Sequence, residues 1–70
     1  MTAIHRKDGT LQVIPIHSVK MVEYLPLMGV IRVHYLSERP SYIEVKVGER
    51  EARDHLLDLA SGTIVDIHEE

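Results

Sequence analysis

Five histidines, eleven carboxylates and three tyrosines in seventy residues are the side chains here best equipped for chemistry. A metal site on a strand or helix needs closely spaced ligands, as in HxH or HxxxH. His5, His17, His34, His55 and His68 show neither spacing. No metal ligand and no cofactor is therefore assigned, and a His/carboxylate site shared across an oligomer interface is kept as an alternative. Asp66-x-His68-Glu69-Glu70 sets an imidazole among acids, but a chain terminus is where fraying and solvation are expected.

Nucleophilic or acid–base catalysis needs reactive groups held in a pocket. Cysteine is absent, no GxSxG elbow or glycine-rich phosphate loop occurs, and the four glycines sit at turn positions. A chain of this length also has little room for a pocket of ~300 Å³ or more. The expectation is a protein without catalytic activity.

Two other sets of residues offer binding. Arg32, Lys46 and Tyr42, with His34, would lie on one face of a sheet, where basic groups and an aromatic ring can hold single-stranded nucleic acid. Glu23 and Glu44 fall on the same face and the net charge is -3, so a mixed-sign, solvated ladder explains these residues better. Nucleic acid is thus the less favoured partner. Leu25-Pro26-Leu27-Met28-Gly29 places three large apolar residues in a loop, and Met21, Leu36 and Tyr42 form a second apolar set. Exposed apolar patches of this kind mark interfaces.

The elements that must position these groups follow from hydrophobic period. Val30–Leu36 and Tyr42–Val47 alternate in the strand pattern around a Ser-Glu-Arg-Pro-Ser break. Pairing Tyr35 with Ile43, Val33 with Val45 and Ile31 with Val47 collects six apolar residues on one face. It leaves Leu36 opposite Tyr42, His34 opposite Glu44 and Arg32 opposite Lys46. The preceding strand, Ser18–Leu25, adds Val22 opposite Val33 and Tyr24 opposite Ile31, with Glu23 beside Arg32. Val19, Met21 and Glu23 then share the outer face; a short helical turn around Ile16–Val22 competes with this reading. Asp8-Gly9 predicts a type I′ hairpin pairing Lys7 with Thr10, Ile4 with Val13 and His5 with Gln12. Pro15 ends that strand.

From Glu49 the period becomes helical, with Ala52, Leu56, Leu59 and Ala60 on one stripe. Glu49 and Glu51 suit the helix N-terminus, Glu49 pairs with Arg53, and Gly62 suits the C-terminal cap. The helix, about residues 49–61, is expected to pack on Ile31, Val33, Ile43, Val45 and Val47, so that Leu56→Asp unfolds the domain. Thr63–Ile67 reads as a last short strand.

The expected fold is a single α+β domain over residues 1–70: a mainly antiparallel sheet of five or six short strands with one helix on a face. A core this small rarely nets more than about 3–5 kcal/mol, and without cysteine no disulfide adds to it. Self-association is the expected remedy, a dimer favoured, with a larger protein partner as the other option. Charge is uneven: residues 1–35 carry four basic and two acidic groups, and residues 36–70 carry four basic and nine acidic. No apolar run approaches a membrane span or a signal-peptide core, so a cytoplasmic protein is expected. The function read from sequence is a small non-catalytic interaction module, self-associating or accessory to a larger complex, through the apolar Leu25/Leu27/Met28 loop or by strand addition at an unpaired edge.

Overall fold

The structure, a computed structural model, describes residues 1–62 and 64–70. Thr63, the expected start of the last strand, lies outside the described residues. In chain order the elements are β1 (Thr2–His5), β2 (Leu11–Ile14), a 3-10 turn (Ile16–Ser18), β3 (Val19–Leu25), β4 (Val30–Tyr35), β5 (Ser41–Lys46), α1 (Glu49–Ala60) and β6 (Val65–His68). The class is α+β, as the periodicity predicts. The strands divide into two three-stranded sheets, ordered β2-β1-β6 and β3-β4-β5. Every pairing is antiparallel except β1 with β6, which run parallel.

The two sheets share one core. Ile4, Ile14, Val65 and Ile67 from the first meet Ile31, Val33, Val45 and the flanking Val47 from the second, with Ala52 from the helix. Thr2 and Ala3 are buried as well, so three consecutive residues of the central strand β1 are withdrawn from water. Both faces of that strand are covered, and this erases the alternation on which a half-buried strand is recognised.

The first hairpin differs from expectation by one residue. Ala3 lies opposite Val13 and Ile4 opposite Gln12. Arg6 N–H donates to the Thr10 carbonyl at 2.8 Å, Gly9 N–H donates to the Arg6 carbonyl at 3.0 Å, and Gly9 has φ +94°. A positive φ at one position, not two, gives a type I turn followed by a glycine bulge rather than a type I′ turn. The Asp8 carboxylate accepts the Thr10 N–H at 2.8 Å, a further tie within this loop. A one-residue slip exchanges faces: Ile14 becomes core, while Leu11 and Val13 are exposed.

The central hairpin keeps its faces but slides by two residues. Val33 pairs with Ile43, Ile31 with Val45, Arg32 with Glu44 and His34 with Tyr42. Because a two-residue slide preserves every side chain's face, the apolar pattern cannot distinguish the two registers; the loop decides. Between β3 and β4 the expected pairs Val22–Val33, Glu23–Arg32 and Tyr24–Ile31 are found. A bulge between Val19 and Met21 turns Val19 inward against the core, away from the side of Met21 and Glu23. Both readings of Ile16–Val22 hold in part, the turn covering Ile16–Ser18 and the strand following it.

Helix α1 has the expected span, its Glu49–Arg53 bond (2.9 Å) and Gly62 at φ +77° past its end. It packs closest to β3 and β6 and joins the shared core through Ala52; Ala52 is fully buried, Leu56 and Leu59 are half-buried and Ala60 is exposed. Ala52, fully buried, is the helix position where a charge is expected to cost most; Leu56, half-buried, is expected to cost less. No helix among the described residues is long and apolar enough to cross a membrane.

Candidate interaction surfaces

Pro15 lacks an N–H and cannot extend β2 along its ladder. The chain turns through Ile16–Ser18, with Ser18 N–H bonded to the Pro15 carbonyl at 2.9 Å, and enters β3 as an edge strand of seven residues. Which of its backbone groups face outward follows from ladder alternation. The Glu44 and Lys46 carbonyls on β5 point away from β4, where they accept other donors. Ile31 and Val33 must then bond to β5, and Arg32 and His34 to β3, in step with Leu36 N–H donating to the Ser18 carbonyl at 2.8 Å. Val22 and Tyr24 consequently turn their N–H and C=O groups to the outer edge of β3. Among the described residues nothing bonds to them there.

Beside this edge runs a cleft of about 430 Å³. Val19, Lys20, Met21 and Val22 line one wall, and Leu56, Leu59 and Ala60 of α1 the other. Four consecutive strand residues cannot line a wall from one face of a sheet, because alternate side chains point opposite ways; the wall is the strand's edge. Ile16 closes the end near the helix C-terminus, where a Cβ on Gly62 would lie 3.6 Å from Ile16 Cδ1. Apart from Lys20 the side chains lining it are apolar, and backbone groups of the strand edge contribute the polar part of its surface.

The outer face of β3-β4-β5 carries the residues singled out for nucleic acid, and it is internally compensated. Arg32 donates through Nε (3.0 Å) and Nη2 (2.5 Å) to Glu44 Oε1. Its Nη1 lies 3.6 Å from Glu23 and its guanidinium 4.4 Å over the Tyr42 ring. Hydrogen bonds to Glu44 hold the Arg32 guanidinium above its ordinary value. His34 takes Glu23 as its carboxylate partner at 2.9 Å, in place of Glu44. Lys46 lies opposite Val30, not Arg32. Met21, His34 and Tyr42 form one row across the sheet. Leu36 follows the end of β4 and lines two clefts, one of about 230 Å³ with Val13, Pro15 and Ile43 and one of about 270 Å³ with Lys20 and His34.

The C-terminal residues are tied down rather than frayed. His5 Nε2 lies 2.9 Å from Asp66 Oδ1, and the His5 and His68 rings stack at 4.3 Å. Arg6 donates from Nη1 to Glu69 Oε2 (2.8 Å) and to the Glu44 carbonyl (2.7 Å), and from Nε to Gln12 Oε1 (2.6 Å). The Lys7 N–H donates to Glu69 Oε1 at 2.9 Å. That bond first, and the Arg6 guanidinium second, hold the Glu69 carboxyl below its ordinary value of 4.5. Among the described residues no group of three or more His, Asp or Glu is arranged to hold a metal ion.

In the loop from β3 to β4, Leu25 is half-buried and its carbonyl accepts the Met28 and Gly29 N–H groups at 3.1 and 2.8 Å. Met28 is exposed, and Leu27 is 102% exposed, projecting fully into solvent. The β3 edge, Lys20 and Ala60 were not among the site residues expected from sequence. Strand order decides which edge stays open, and strand order is not written in local period. Comparison with protein-family models, with curated proteins and with solved structures finds no match for this chain.

Proposed function

We propose that this chain is a small, non-catalytic, cytoplasmic interaction module that receives an extended segment of a partner along the open edge of β3. The observation that carries this reading is that the unbonded backbone groups at Val22 and Tyr24 begin where a cleft walled by α1 ends, the two meeting at Val22. Main-chain bonds to an exposed edge supply affinity, and a neighbouring groove for alternate side chains supplies selectivity. A long edge left open is otherwise a liability that proteins cover or break. Leu56 and Leu59, half-buried in the free protein, would complete their burial under such a segment.

The test is selection of peptides from a phage-displayed random library against the folded domain, followed by amide exchange of the complex. Selected peptides are expected to slow exchange at Val22 and Tyr24 and to lose binding to Ala60→Arg, which fills the cleft from an exposed helix position. Failure to enrich any sequence, or protection elsewhere on the molecule, would overturn the reading.

Self-association through the β3–β4 tip is a second reading, favoured by the full exposure of Leu27 beside Met28. It predicts a dimer by light scattering that Leu27→Asp with Met28→Asp dissociates. A monomer at high concentration, unchanged by those substitutions, removes it.

A further inference from the structure

Resting on the strand-addition reading, we infer that the occupant of the β3–α1 cleft is a segment of a different protein that presents an Asp or Glu carboxylate to Lys20. Lys20 is the charged residue among otherwise apolar lining side chains, so it sets the sign of the group the cleft accepts. Its ammonium is exposed and makes no ion pair or side-chain hydrogen bond among the described residues. The nearest acid along β3, Glu23, is already engaged by His34 at 2.9 Å and lies 3.6 Å from Arg32. Lys20 also borders a second cleft that Glu38 lines, but forms no ion pair with it, so an incoming carboxylate meets the Lys20 ammonium without displacing an existing pair.

The same residues argue against β3 of a second copy as the occupant. Two-fold pairing of β3 with itself would place two bulged segments, each interrupted between Val19 and Met21, in one ladder. A bulge and a lysine at an edge are devices that discourage edge-to-edge pairing of identical chains. A foreign strand need carry neither, and discrimination by a repulsive element against self, with an attractive one for the partner, is a general route to specificity.

The probe is the same phage-displayed random-peptide library, panned in parallel on the wild type, Lys20→Gln and Lys20→Glu, each checked for an unaltered melting curve. Peptides selected on the wild type are expected to be apolar, extended and to carry an Asp or Glu at one fixed position. Lys20→Gln should weaken them by roughly 1.5-fold to fivefold, the range of a solvent-facing ion pair. Lys20→Glu should reverse the selected charge to Lys or Arg. Peptides that protect Val22 and Tyr24 and fail on Ala60→Arg, yet show no acidic position and no response to Lys20, would overturn this inference and leave strand addition standing, with Lys20 as a guard of the edge. A concentration-dependent dimer in which Val22 and Tyr24 become protected would also overturn it, by making the second copy the occupant. Enrichment of nothing on any of the three proteins would overturn strand addition itself, and the inference with it.

Discussion

The two edges of the β3-β4-β5 sheet have opposite fates. On β5 the outward carbonyls of Glu44 and Lys46 are both taken, one by the Arg6 guanidinium at 2.7 Å and one by the Glu70 N–H at 2.9 Å. On β3 the equivalent outward groups, at Val22 and Tyr24, have no partner among the described residues. The C-terminal residues reach one strand and not the other. On β5 the edge is covered from far away in sequence, by Arg6 and Glu70; on β3 the bulge between Val19 and Met21 and Lys20 guard the start of the edge, and the uncovered groups beyond them, at Val22 and Tyr24, mark where a partner can enter.

Removing the helix abolishes the contrast and should have the largest effect. Ala52 is fully buried in the core, and Ala52→Asp places an unpaired charge there at a cost of more than about 4 kcal/mol. Circular dichroism should show no cooperative melt. A native-like melt would mean that α1 does not hold the cleft together. Opening the closed edge comes next. Arg6 is largely buried and holds Gln12, Glu44 and Glu69 together. Arg6→Ala leaves the Glu44 carbonyl without its donor and should cost on the order of 2 kcal/mol in urea unfolding. The β5 edge would then join β3 as a site of peptide protection. Unchanged stability would show that the Arg6 contacts contribute nothing net. Ala60→Arg is the mildest for the fold, within about 0.5 kcal/mol for an exposed helix position, while it blocks peptide protection at β3 alone. A variant that still binds its peptides there would place the contact outside the cleft.

How much of this was legible in the sequence depends on the range of the determining contact. The helix from Glu49, the glycine cap at Gly62 and the inner face of β4 are set by neighbours three or four residues apart, and the residue pattern displays them. The hairpin registers are set by turn geometry: one φ at Gly9 shifts β2 by a residue, and a two-residue slide of β5 leaves its polarity pattern unchanged. The parallel pairing of β6 with β1 and the Arg6–Glu69 tie join residues more than sixty apart in sequence, and with the division into two sheets they are encoded by no local pattern. The exposed Leu27–Met28 tip was visible as apolar residues in a loop. That some strand edge would stay open was expected; that it is β3 was not legible, because an edge is defined by what fails to pair with it.

The finest test separates the two edges by acid. Glu69 is held below its ordinary value of 4.5, chiefly by the Lys7 N–H and then by Arg6. A carboxyl whose folded value is depressed stabilises the fold fully above its unfolded value, and that contribution fades as pH falls through the lower folded value. Acidification below about 4.5 should therefore loosen the C-terminal tie while leaving β3 as it was. Asp8 is also depressed, by the Thr10 N–H, so Asp8→Asn removes that second depressed carboxyl from the comparison. Amide protection at Glu70, corrected for the intrinsic pH dependence of exchange, should fall on acidification in Asp8→Asn, and Glu69→Gln should flatten that dependence. Protection at Glu70 that survives the full Glu69 titration would mean the Lys46 carbonyl holds the chain terminus unaided, and the closure of β5 would then not depend on Glu69.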